Sequence, residues 1–137
     1  MTGAHFHAAP QPGDIVWCIF PLHRSLRPGP KPRPALVLQL GEQDGDCWVK
    51  VAYGTSQKTG ELFAGEFALL PEDGDAFVLS GLSYPTKFDL GRAVELPFND
   101  EWFAVAPGAP FGQHPKLGVL HPSLLKRARA AFHAGKL

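Results

Sequence analysis

This chain has no excess of either charge, few cysteines and no long apolar run. Thirteen Lys and Arg balance thirteen Asp and Glu, for a formal net charge of zero. An anionic partner must therefore be drawn by a local patch and not by the field of the whole molecule. Only two cysteines, Cys18 and Cys47, occur among 137 residues. Each lies in an apolar run without a CxxC neighbour, which reads as a buried thiol and not as half of a metal pair or disulfide. Free thiols fit a cytoplasmic location. No stretch reaches the roughly 18–20 apolar residues of a membrane span, so no membrane partner is expected. The opening MTGAHFHAAPQPG lacks the basic-then-apolar plan of a secretory leader. The histidines show no ligand spacing, so no metal and no other cofactor is expected.

What the chain has in quantity is punctuation. Its 15 glycines and 14 prolines separate short apolar runs, a pattern that favours many short strands over a helical bundle. With 45% hydrophobic residues, 10 of them Phe, those strands can surround a true core. One domain over residues 13–137 is expected, preceded by a flexible tail at 1–12 rich in Gly, Pro and small residues.

GDIVWCIF (13–20) is apolar on both faces and reads as a strand buried on both sides. PALVLQL (34–40) is a second strand, with Pro34 tolerated only at its start. Asp44-Gly45 supplies a hairpin turn into a third strand, CWVKVAYGTSQ (47–57). A weak edge strand is expected around Glu66–Leu70, and one or two more within 76–97, where Thr86–Leu90 alternates. Residues 98–118 read as irregular, with Trp102 and Phe103 as core plugs. HPSLLKRARAAFHAG (121–135) is the one clear helix: Pro122 suits its first turn, Gly135 its stop, and Leu124, Leu125, Ala128, Ala131 and Phe132 make an apolar stripe. Five to seven strands and a closing helix predict a mainly β fold, a small bent barrel.

The most unusual stretch is PLHRSLRPGPKPR (21–33). His23, Arg24, Arg27, Lys31 and Arg33 crowd together without one acid, and prolines at 21, 28, 30, 32 and 34 restrict φ around them. Two readings stay open. One is a charged loop that keeps an edge soluble. The other is a flap that grips phosphate, since closely spaced Arg and Lys attract a polyanion at zero net charge.

GDIVWCIFP, a basic loop, RPALVLQ and then AYGTSQ follow one another over residues 13–57. In that order they resemble the PemK/MazF family of toxin endoribonucleases. From 58 onward the likeness is loose, with PTKFDLGR where the family has a polar strand feeding its active site. The resemblance implies an SH3-like, PemK/MazF-like barrel with a C-terminal helix, often a homodimer. It implies metal-free cleavage of single-stranded RNA, held in check by a cognate antitoxin protein. Such cleavage needs a base for the ribose 2′-OH, a cation at phosphorus and an acid for the leaving 5′-oxygen. Arg33 matches the family's Arg-Pro position and suits the phosphate, because its fork holds two oxygens and keeps its charge. Thr55 matches the strand-end threonine and would bond the phosphate or orient Arg33; in GTSQ it also reads as plain turn chemistry. Family loops often carry an acid, and this loop has none. His23 and Asp89 are therefore the candidates for proton transfer. Arg24, Arg27, Lys31, Ser56, Gln57, Lys87 and Arg92 are expected RNA contacts. The missing loop acid keeps an alternative in view: a non-catalytic SH3-like barrel that binds nucleic acid or a peptide in the same groove.

Overall fold

Asp44 and Gly45 both take positive φ, 55° and 84°, and Gln43 pairs with Asp46 across them. This is the two-residue turn whose twist matches a β-hairpin. It joins β2 (Arg33–Gln43) to β3 (Asp46–Thr55), the central pair of a six-stranded antiparallel sheet. The computed structural model describes residues 7–21, 29, 31–108, 112 and 114–137. The other strands are β1 (Asp14–Cys18), β4 (Glu66–Leu69), β5 (Thr86–Pro97) and β6 (Lys116–Val119), and the sheet runs β4-β5-β3-β2-β1-β6. A single 3₁₀ turn, Pro71–Asp73, leads into α1 (Asp75–Ser80); another, Pro122–Leu124, leads into α2 (Leu125–Ala134).

Alternation along the strands sends side chains to two apolar layers. Ile15, Leu36, Ala52, Phe67 and Phe88 join Leu117, Leu124 and Ala131 in one of them. Val16, Cys18, Ala35, Val37, Val49 and Val51 pack in the other against Phe20, Leu96, Phe98, Trp102 and Phe103. β1 is thus buried on both sides, as its unbroken apolar run requires. Trp102 and Phe103 are core residues as expected: Ile19 N–H donates to the Trp102 carbonyl, and Cys18 bridges Phe103. Both cysteines are free. Burial pushes the Cys18 thiol up, so it is no ready thiolate.

The structure departs from the sequence expectations in three places. The sheet is not closed into a barrel: β4 and β6 are its two edges. Helical segments cover those edges instead. Arg127 on α2 donates to the Ala68 carbonyl of β4 at 3.0 Å. Gly118 of β6 lies so near α1 that a Cβ there would collide with the backbone of Leu79 and Ser80. Covering an edge with a helix is one way a sheet limits pairing with a further strand. Second, residues 75–80 form a helix, which the expectation of one or two strands within 76–97 did not include, while β5 supplies a strand there. Gly74 and Gly81, at φ 64° and 72°, bracket it, and Ala76 and Ser80 turn inward one helical turn apart. Third, β6 lies within the stretch expected to be irregular. Of the N-terminal stretch, residues 7–12 rest against the body, with Pro10 buried and Ala8 O 3.0 Å from His114 Nε2. No helix among the described residues is long and apolar enough to cross a membrane.

α2 is fastened to this frame by one fork. Arg127 donates through Nη1 to Asp73 Oδ2 and through Nη2 to Asp73 Oδ1, each at 3.0 Å. The same Asp73 carboxylate accepts Leu70 N–H at 2.8 Å, capping the 3₁₀ turn. Arg127 and the Leu70 amide hold the Asp73 carboxyl below its ordinary value of 3.8. A carboxylate whose folded pKa is depressed stabilises the fold fully above its unfolded value, and that share is lost as pH falls through the folded value. Arg127 is partly exposed, so the fork contributes at most about 1 kcal/mol. Arg127→Ala should therefore lower the melting temperature by a few degrees at pH 7. The gap from wild type should narrow as pH falls below 3.8 and through the depressed folded value of Asp73, in melts followed by circular dichroism, and leave only the share of the Ala68 carbonyl bond.

Candidate nucleic-acid cleft

Two strand ends build the site. Ala35 faces Tyr53 in the β2–β3 register. Carrying that register two residues further sets Arg33, at the head of β2, against Thr55, at the end of β3. The strands approach closely there because residue 54 is glycine: a Cβ on Gly54 would press on the Pro34 carbonyl and the Phe88 ring. Beside this junction opens a cleft of about 600 Å³. Arg33, Thr55, Ser56 and Lys31 line it, together with Trp17 and a wall from residues 81–84.

The chemistry of the lining is one-sided. Lys31 and Arg33 are its cations, and no Asp, Glu or His belongs to it among the described residues. Arg33 Nε is buried and finds no hydrogen-bond partner among the described residues. An unsatisfied buried donor carries a desolvation cost of roughly 1–3 kcal/mol, so a group of this kind calls for an explanation such as an absent ligand. Thr55 Oγ1 accepts from the Gln57 N–H at 3.1 Å. That bond orders the turn and leaves the hydroxyl proton free to donate. A larger groove, about 840 Å³, runs between α2 and the sheet, but its lining is mainly apolar and includes none of the candidate catalytic or RNA-contact residues.

The sequence candidates divide sharply. Lys31, Arg33, Thr55 and Ser56 come together at the cleft. Gln57 contributes its backbone to Thr55 but is not part of the lining. Lys87 stands opposite Thr55 in register, yet its Nζ is spent on Glu66 Oε1 at 3.0 Å and the Glu61 carbonyl at 2.9 Å. At 6% exposure it braces the 58–66 loop and offers no charge to a ligand. Asp89 lies on β5 between Tyr53 and Glu66, and its Oδ1 accepts the Gly91 N–H at 2.9 Å. Arg92, in the bulge that follows, stacks over Tyr53 at 4.1 Å from ring centroid to Cζ. Neither Asp89 nor Arg92 lines the cleft. His23, Arg24 and Arg27 lie outside the described residues. Sequence reasoning missed the wall at 81–84 altogether. Its one signal is SYP, an aromatic set between turn formers where no apolar run needs it.

The fold and cleft define a small, mainly β protein with a cationic cleft at one end of its sheet. Compared with known proteins, the chain matches no family model and no curated protein.

Proposed function

We propose that this chain is a PemK/MazF-like endoribonuclease, the toxin of a toxin–antitoxin pair, which cuts single-stranded RNA without a metal. One observation carries the reading: Arg33 and Thr55, from two different strands, line one cleft, and the Arg33 guanidinium keeps a buried donor that has no partner among the described residues. A phosphodiester satisfies that donor. Arg33 grips two phosphoryl oxygens, Thr55 donates to one of them, and Lys31 adds charge at the mouth. The ribose 2′-oxygen attacks phosphorus as its proton passes to a base, and the 5′-oxygen leaves with a proton from an acid. The products are a 2′,3′-cyclic phosphate and a 5′-hydroxyl. The base is assigned to His23 in the basic loop, whose intrinsic pKa near 6.5 suits proton transfer in either direction. In this reading the toxin works in the cytoplasm as a homodimer, silent while its cognate antitoxin covers it.

A second reading draws on the absence of any carboxylate or imidazole from the described lining. The same cleft would then hold nucleic acid without cutting it. One gel separates the two. End-labelled single-stranded RNA incubated with the protein in EDTA should give fragments ending in cyclic phosphate. A shifted but intact band supports the binding module, and an unshifted, uncut band rejects both.

A further inference from the structure

Segment 80–86 forms a rigid bracket. Gly81 closes α1 in the left-handed region at φ 72°, and a Cβ there would collide with the Leu117 carbonyl of β6. Leu82 is buried in the core, and its N–H donates to Ser80 Oγ at 3.2 Å. Thr86 is almost wholly buried, and its hydroxyl donates to the Tyr84 carbonyl at 2.8 Å. Pro85 restricts the backbone between them. The side chain this bracket presents is Tyr84, which is 69% exposed, has no ring partner among the described residues, and lines the cleft shared by Lys31, Arg33, Thr55 and Ser56.

A large aromatic left in water on a fixed backbone forgoes the burial that usually repays its area. The same arrangement suits recognition, since on a held backbone only the side-chain torsions of the ring remain to be ordered on binding. Its neighbours narrow the ligand. Cations and hydroxyls on the cleft suit phosphate, and an aromatic face within the same cleft suits a planar base one sugar away. We infer that Tyr84 is the stacking platform for the nucleobase beside the gripped phosphate, and that it makes the cleft select unpaired strands. A base in a duplex has both faces covered by its neighbours and cannot reach such a ring. Only a strand whose bases splay out offers a phosphate to Arg33 and a base to Tyr84 together. This rests on the proposed nucleic-acid function of the cleft and adds the residue that reads the strand's state. Tyr84 stacks on the ligand and takes no proton.

The test uses a short fluorescent single-stranded RNA with 2′-fluoro riboses, which cannot be cut, and an abasic strand of the same backbone. Affinities come from anisotropy titrations in EDTA. Tyr84→Ala should weaken the base-bearing strand roughly 5- to 150-fold, the share of one stacked base, and leave the abasic strand unchanged. Tyr84→Phe should bind like wild type, because the ring and not the hydroxyl does the stacking. Equal loss on both strands would mean a general distortion of the cleft and would overturn the inference. So would an unchanged affinity for Tyr84→Ala; if Arg33→Ala then still weakens both strands, the proposed function survives alone. Wild-type protein that binds neither strand removes that function and the inference with it.

Discussion

Under the proposed endoribonuclease function, Arg33→Ala is expected to lower RNA cleavage by about 10²–10³-fold, the usual loss when a donor aimed at developing charge is removed from an active site. The side chain stands at the head of β2 beside the cleft, and its Nε is already stripped of water without a partner among the described residues. Such a group has met its desolvation cost before substrate arrives, so its attraction for the charge growing at phosphorus acts at full strength. Arg33→Lys should recover only a small part, because an ammonium keeps the charge but loses the fork that spans two oxygens. Stability should move the other way. Removing an unsatisfied buried donor relieves a strain on the fold, so Arg33→Ala should melt at or slightly above the wild-type temperature. Initial cleavage rates on labelled RNA, paired with thermal melts, measure both. A variant that cuts normally would remove Arg33 from the chemistry. One that is inactive only because it has unfolded would reassign it to structure.

Phe88→Ala should bring the largest loss of stability, about 3–5 kcal/mol. For a domain of this size that is a fall of roughly 10–20 °C in melting temperature. Phe88 has no exposed surface. Its ring packs against Phe67 with centroids 5.8 Å apart and fills the space that the absent side chain of Gly54 leaves open. Removing it opens a cavity that cannot collapse readily, since β4 and β3 flank β5 on both sides in the hydrogen-bonded sheet. The cavity would lie beneath Gly54, one residue from Thr55. Under the proposed function, cleavage should therefore fall even at a temperature where the variant is fully folded. Phe88→Leu, which keeps most of the volume, should lose less than about 1.5 kcal/mol. Denaturant titration of the three proteins, followed by tryptophan fluorescence, gives the numbers. A loss below about 1 kcal/mol for Phe88→Ala would mean that this core is not packed around the ring.

Several parts of the molecule could be read from short stretches. Asp44-Gly45 announces its turn because few other pairs accept positive φ at both positions. The run from Ile15 to Cys18 announces a strand covered on both faces, and Pro122 and Gly135 bound the terminal helix closely. The edge strand at Glu66–Leu69 also lies where a weak one was expected, around Glu66–Leu70. Each signal is carried by residues within a turn or two of one another. The helix at 75–80 was hidden for a matching reason. Ala-Phe-Val-Leu-Ser has strand-forming residues, and the two glycines that cut it to one and a half turns act through backbone angles that composition does not reveal.

The cleft was legible only in part. Arg33 and Thr55 stand out because each closes a recognisable block, and antiparallel pairing of those blocks brings them together. Lys87 looked equally available as a cation, but its partner Glu66 is 21 residues away and becomes its partner only when β4 pairs with β5. Tyr84 gave almost no signal, because its place at the cleft depends on α1 and β6 bringing residues 81–84 to the loop end of β2.

The sequence by itself determined the strand-rich class, the central hairpin, the closing helix and the two residues that head and end the strands of the site. Backbone preferences and side-chain periodicity act over a few positions, and those features ask for nothing more. The tertiary structure alone decided that the sheet stays open, that Lys87 is neutralised within the fold and that Tyr84 stands at the cleft. Those outcomes turn on which distant surfaces win the competition to be buried together, and no short stretch of chain contains that contest.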